Sequence, residues 1–147
     1  MNDMRKSKQL REAIRILERK LGILGDFQVS CCEVTMAQCH ALVEIGRAGS
    51  ISLNELAELL NLENSSMSRT VDKLVRKGMV KRDIDPSDRR YVTITLTESG
   101  NELFRNIEER MNSYFEKVYH SLPMDKREQV LESLGLLLGE IGKSECC

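Results

Sequence analysis

The chain has 147 residues, 22 Lys or Arg against 23 Asp or Glu, a net charge of −1 and 41% hydrophobic residues. Length and composition fit about one globular domain of soluble, helix-rich character. No run approaches the roughly 18 apolar residues of a membrane helix, and the charged opening MNDMRKSKQLREAIRILERK lacks the apolar centre of a signal peptide.

These features predict a cytoplasmic protein, in which five cysteines are expected as reduced thiols or metal ligands rather than structural disulfides. The first helix spans about residues 4–24: Leu10, Ile14, Leu17, Leu21 and Leu24 recur at three- and four-residue steps. Gly22 and Gly25 are expected to close it, with residues 26–33 as a connecting loop. Thr35 starts a second helix with apolar Met36, Ala37, Ala41, Leu42 and Ile45, ending near residues 46–49. Ser50, Ile51 and Ser52 read as a short strand.

A helix follows over residues 52–62. Ser52 is its expected cap and Glu55 completes a capping box; Leu53, Leu56, Ala57 and Leu60 share one face. After a tight turn, Asn64 or Ser65 caps a helix that runs to about Lys77. Its buried stripe is Met67, Val71, Leu74 and Val75, and Gly78 supplies the left-handed residue at its end. Residues 79–84 and 91–96 read as strands, the second alternating Val92, Ile94, Leu96 against Tyr91, Thr93, Thr95. Asp85, Pro86 and Ser87 favour a turn between them. Thr97 then caps a long helix with its body over 101–122 and Leu103, Ile107, Met111, Tyr114 and Val118 on one side. Pro123 breaks it. A last helix over about 125–141 carries Val130, Leu131, Leu134, Leu137, Leu138 and Ile141.

Two helices, then two strands with a charged turn between them, are the layout of a winged helix-turn-helix. The fold class predicted is mainly α with a small β-wing, the winged core over about 35–99 and flanked by dimerisation helices over about 4–24 and 101–142, all in a single domain. The second helix of the core presents Ser65, Ser66, Ser68, Arg69, Thr70, Lys73 and Arg76 away from its apolar stripe. Short hydroxyl side chains near a helix N-terminus let the backbone approach phosphates and base edges, and Arg69 is long enough to reach a guanine edge with two hydrogen bonds. Arg89 and Arg90 at a hairpin tip suit a narrow minor groove, with Asp88 placed to hold one of them by paired hydrogen bonds. Residues 69–90 contain eight Lys or Arg against four Asp or Glu, a local basic patch in a near-neutral chain. An ordinary solvated helix face is the competing reading of the helix taken alone.

The run NSSMSRTVDKLVRKGMVKR at 64–82 and the run DPSDRRYVTITLTESG at 85–100 resemble the MarR family of regulators, and the resemblance extends over nearly the whole chain. It implies that Asp88 and Arg90 form the Asp-x-Arg of the wing, which fixes an arginine for the minor groove. It implies that Ser65, Ser66, Ser68, Arg69 and Lys73 lie in the major groove. It also implies a homodimer acting on palindromic operators, and the function expected is that of a transcriptional repressor. The apolar stripes point the same way. A small winged helix has too little core to bury Leu10, Ile14, Leu17, Leu21, Leu134, Leu137, Leu138 and Ile141 by itself, and a second copy would cover them. Folding back onto the same domain is the alternative.

Effector readings stay open. Cys31, Cys32, Glu33, Cys39, His40, Cys146 and Cys147 offer soft donors for a thiophilic metal ion, although their spacing matches no standard zinc pattern. Cys31 and Cys32 near a helix start also suit thiol oxidation. A small-molecule pocket near His40, Arg19 and Tyr114, and no effector at these residues at all, are the remaining readings. Cys39 then is a small core residue, and His120 a solvated one near a helix C-terminus. Enzyme chemistry is not expected: no phosphate-binding Gly loop, HExxH or GxSxG is present, and Cys39 and His40 diverge by about 100° on a helix. A winged helix used only for protein contacts, without duplex DNA, is the rival functional class.

Overall fold

The computed structural model describes the backbone of residues 2–32 and 34–142, and side chains over 2–22 and 34–142. The chain forms two compact units, residues 1–107 and 108–147. In order, the elements are α1 (Asn2–Cys32), α2 (Met36–Ala48), β1 (Ser50–Ser52), α3 (Leu53–Leu59), α4 (Asn64–Arg76), β2 (Val80–Ile84), β3 (Val92–Leu96) and α5 (Glu98–Ser121). A single 3₁₀ turn over Met124–Lys126 and α6 (Arg127–Glu140) complete the chain.

The helical winged-helix class predicted from sequence is the class observed, with a three-stranded antiparallel sheet of order β1-β3-β2. The first helix does not stop at Gly22 or Gly25. α1 continues to Cys32, so the expected loop over 26–33 is helical through residue 32. An exposed glycine weakens a helix by only about 1 kcal/mol, and no proline or competing cap follows to end it. α2 starts on a full capping box that sequence inspection missed. Gln38 N–H donates to Thr35 Oγ1 at 3.2 Å and Thr35 N–H to Gln38 Oε1 at 3.3 Å. At α3 the expected box is altered. Glu55 N–H reaches Ser52 Oγ at 3.1 Å, but the Glu55 carboxylate accepts from the Ser52 hydroxyl at 3.0 Å instead of from its backbone.

The core of residues 1–107 forms where α2, α3 and α4 meet the sheet. Leu42, Ile45, Leu56, Met67, Val71, Leu74 and Ile94 are fully buried there. Each belongs to a stripe at helical or strand spacing, so one apolar face per element closes the core. Val75 departs from expectation: at 38% exposed it lies off the buried stripe. α5 begins on Thr97, whose Oγ1 accepts from Gly100 N–H at 3.1 Å and donates to the Gly78 carbonyl at 2.6 Å. A Cβ on Gly100 would stand 1.9 Å from the Met79 carbonyl oxygen. The missing side chain is what lets the first turn of α5 rest on the entry to β2. Gly46 on α2 similarly admits the Phe104 ring, which a Cβ would meet at 2.5 Å.

In the second unit, Pro123 follows α5 as expected. Arg127 closes that helix end, donating to the His120 carbonyl at 2.9 Å and lying 5.3 Å over the Tyr119 ring. No α6 residue is buried.

Candidate nucleic-acid interface

The recognition-helix candidate is α4. Its N-terminus departs from the sequence reading: Glu63, not Asn64 or Ser65, occupies the cap position, without a side-chain cap bond. Asn64 is instead committed sideways, donating to Asn54 Oδ1 on α3 at 2.9 Å. That bond joins the two helices of the motif at their open end. The C-terminus closes as a Schellman motif around Gly78 at φ 75°, with Gly78 N–H on the Val75 carbonyl and Met79 N–H on the Leu74 carbonyl, each at 3.0 Å. Lys77 at this cap reaches Gln38 Oε1 on α2 at 2.8 Å, so the cap of one helix steadies the end of the other.

Between these ends the polar residues fall on one side. Ser65, Arg69, Lys73 and Arg76 are exposed, while Ser66, Ser68 and Thr70 are half-buried. Arg69 leans back to Ser66 Oγ at 3.4 Å, and the Thr70 hydroxyl donates to the Ser66 carbonyl at 3.2 Å. Three cations therefore share a helix face with small hydroxyls and no bulky apolar side chain except the flanking Val75. Such a face allows close approach to a phosphodiester backbone.

The wing is the β2–β3 hairpin, in register from Val80 opposite Leu96 to Ile84 opposite Val92. Its tip is ordered by its own side chains. Asp85 Oδ1 accepts from Ser87 N–H at 2.9 Å and from the Ser87 hydroxyl at 2.7 Å, an Asx turn. Asp88 takes a two-pronged grip from Arg90: Nε to Oδ1 at 3.0 Å and Nη2 to Oδ2 at 3.1 Å, with Arg90 N–H also on Oδ1 at 3.1 Å. These bonds from the Arg90 side chain, then its backbone, hold the Asp88 carboxyl below the usual aspartate range. Ser87 does the same for Asp85, first through its hydroxyl and then through its backbone N–H. The Arg90 side chain is nonetheless 90% exposed. It is oriented but not covered, and Arg89 beside it is exposed as well. A cleft of about 360 Å³ opens between this tip and the start of α3, lined by Ser52, Leu53, Asn54, Asp88, Arg90 and Tyr91.

One residue that the sequence reading passed over joins the two parts. Arg82 on β2 reaches Asp72 Oδ1 at 2.8 Å, the Ser68 carbonyl at 3.1 Å and Ser68 Oγ at 3.3 Å, all on α4.

Of the cysteine, glutamate and histidine effector candidates, Cys39 and His40 have described side chains, and these lie on different faces of α2. Cys39 is 5% exposed in the core face of α2, whereas His40 beside it is exposed. The side chains of Cys31, Cys32, Glu33, Cys146 and Cys147 lie outside the described residues. Among the described residues no three His, Cys, Asp or Glu side chains cluster as metal ligands, and no helix is long and apolar enough to cross a membrane.

Comparison with known proteins agrees with this geometry. The MarR family profile matches residues 34–92. The chain is 27% identical over 105 residues to YfiV, an uncharacterized HTH-type transcriptional regulator of Bacillus subtilis, covering 71% of this chain and 66% of that protein. It is 33% identical over 95 residues to YhbI, another such regulator of B. subtilis, covering 65% and 62%. The matches thus span just under two thirds of these relatives. Among solved structures, a mutant MarR from E. coli complexed with operator DNA superposes with a TM-score of 0.73 at 26% identity, over 88% of this chain and 93% of that one. The matching family profile, the regulator relatives and this superposition together mark residues 34–92, from the start of α2 to the wing, as a MarR-family segment.

Proposed function

We propose that this protein is a DNA-binding transcriptional regulator acting as a homodimeric repressor on palindromic operators. α4 enters the major groove and the wing tip the minor groove of each half-site. The observation that carries this reading is the Arg90 guanidinium, 90% exposed yet fixed by Asp88. A narrow minor groove concentrates negative potential, and an arginine already held in place loses less freedom on entering it. The Ser65, Ser66, Ser68, Arg69, Thr70, Lys73 and Arg76 face of α4 supplies phosphate and base-edge donors beside it. A docking module for proteins alone has no need of such a tip. The operator complex of the E. coli relative supports the same partner.

The flanking helices support self-association within one working domain. Leu10, Leu17 and Leu21 on α1, Leu134 and Leu138 on α6 and Ile141 at its C-cap are 42–75% exposed. Exposed apolar stripes of this length mark an interface. Ile14 and Leu137 are half-buried and complete the same stripes. Affinity for DNA then responds to an effector that favours one spacing of the two recognition helices over another. With Cys39 in the core face, a thiol or metal switch rests on the cysteines near residue 32 and at residues 146–147, and a small-molecule effector needs none of them.

The test is an anisotropy titration of reduced, metal-free protein against duplex DNA from its own promoter at several salt concentrations. Tight binding that weakens linearly in log–log salt, at two chains per site, is the expected result. No binding in the metal-free state or with a thiophilic ion added would leave the protein-contact reading.

A further inference from the structure

Strand β2 carries a charge where its pattern calls for an apolar residue. The β2–β3 register sets Val80, Arg82 and Ile84 opposite Leu96, Ile94 and Val92. Directly paired residues point to the same face of a sheet, and Val80, Ile94 and Leu96 are buried. Arg82 therefore stands on the face of the wing that turns toward α4, at the exposed outer part of the strand, with its side chain 31% exposed. It finds three partners, all on α4: the Asp72 carboxylate at 2.8 Å, the Ser68 carbonyl at 3.1 Å and the Ser68 hydroxyl at 3.3 Å. Asp72 is the one acidic residue of α4, next in sequence to Lys73 on the basic face. Beyond Val80 the strand is exposed through Ile84, so apolar burial does not set the direction of the outer wing relative to the helix.

We infer that Arg82 is a positioning residue for DNA recognition: by gripping Asp72 and Ser68 it fixes the wing at one distance from the recognition helix and offsets the charge of the one carboxylate on that helix. The inference rests on the DNA-binding reading above. The α4 face and the Arg90 tip sit on separate elements, and one site on DNA demands both at a set separation. A tie between the elements holds that separation before binding, so neither contact is gained at the expense of the other. In this arrangement the Nη2 donors of Arg82 are turned to α4 rather than outward.

The experiment is a double-mutant cycle on the full-length protein, read by anisotropy on its promoter duplex across a salt series. Arg82→Ala is expected to weaken binding about tenfold, with the log Kd against log salt slope of the wild type. In an Asp72→Asn background the same change is expected to weaken binding by less than about threefold. Arg90→Ala, a strong loss in wild type, is expected to add little once Arg82 is gone. Arg82→Lys, which retains the charge but not the planar fork, is expected to fall between. Should Arg82→Ala fail to fold, Arg82→Lys and Asp72→Asn complete the same cycle. Equal losses in both backgrounds with a slope reduced by about one would make Arg82 a phosphate contact and overturn the inference. So would wild-type affinity in Arg82→Ala with only a lowered Tm, which would make the tie purely structural. Absence of binding by the wild type itself is a different failure, that of the DNA-binding reading.

Discussion

At the scale of single residues, the wing tip shows how two side chains turn a flexible turn into a fixed donor. Asp88 binds both the backbone and the guanidinium of Arg90, and both interactions favour the charged carboxylate. Its pKa lies below the ordinary 3.8. The sign follows: a lowered aspartate pKa stabilises the ordered tip at every pH above the ordinary value, and that stabilisation is lost only as pH falls through the lowered one. DNA affinity should therefore show no Asp88 titration between about pH 5 and 8. In Arg90→Ala, a carboxyl NMR titration should find the Asp88 pKa moved back up toward 3.8; an unmoved value would break the link between the two residues. The same variant should weaken operator binding about tenfold, within the roughly 1–3 kcal/mol range of a groove contact, while its thermal unfolding shifts little because an exposed ion pair adds little stability. This pair was legible through the family resemblance, whose Asp-x-Arg falls on Asp88 and Arg90; the residues alone left open which of Arg89 and Arg90 Asp88 holds. Arg82 was not: in a five-residue strand with charges at Lys81, Arg82 and Asp83, the face turned toward α4 appears only once the register against β3 is known.

At the scale of elements, stripes read well and ends read poorly. Met67, Val71 and Leu74 were recovered because periodicity averages over a whole helix. The start of α4 was missed because Asn64, a good cap by type, is held by Asn54 ten residues earlier in the chain, and local patterning does not see such a partner. Gly22 misled in the same way, since a glycine weakens an exposed helix without stopping it. Gly100 and Gly46 carry information that sequence could not reveal, because what matters is the atom each one faces. A Cβ at Gly100 meets backbone, the Met79 oxygen, which has no rotamer to escape into. Gly100→Ala should therefore destabilise by about 3 kcal/mol, toward the upper end of overpacking, and no side-chain truncation should restore it. A Cβ at Gly46 meets the Phe104 ring. Gly46→Ala should be milder, about 1–2 kcal/mol after the gain in helix propensity, and Phe104→Leu should relieve it. Urea denaturation of the four proteins decides both, and rescue of Gly100→Ala by any neighbouring side-chain change would refute the backbone clash.

At the scale of the whole molecule, the question is why so much leucine faces water. α6 and its C-cap carry Leu131, Leu134, Leu136, Leu138 and Ile141 at 42–75% exposure, and α1 carries Met4, Leu10, Ile16, Leu17 and Leu21 at 39–73%. Burying one such side chain is worth roughly 1.5–3 kcal/mol, so covering several on each of two copies exceeds the entropy lost on association, which is of the order of 4–15 kcal/mol. A symmetric pair also matches what a palindrome presents, two recognition helices about 34 Å apart on one face of the duplex. The prediction follows from that coupling. Leu134→Glu with Leu138→Glu places two like charges on each α6, at positions 42% and 75% exposed in the single chain. The folded content measured by circular dichroism should hold, since neither side chain is buried, while sedimentation should move from two chains to one at micromolar concentration. With the pair broken, each half-site is bound alone, and the affinity for a full operator should fall by about 10²–10⁴, the range that linkage of two sites commonly supplies. The affinity for an isolated half-site should stay the same. A variant that still sediments as a dimer would move the interface away from α6. A monomer that keeps full operator affinity would separate dimerisation from recognition altogether.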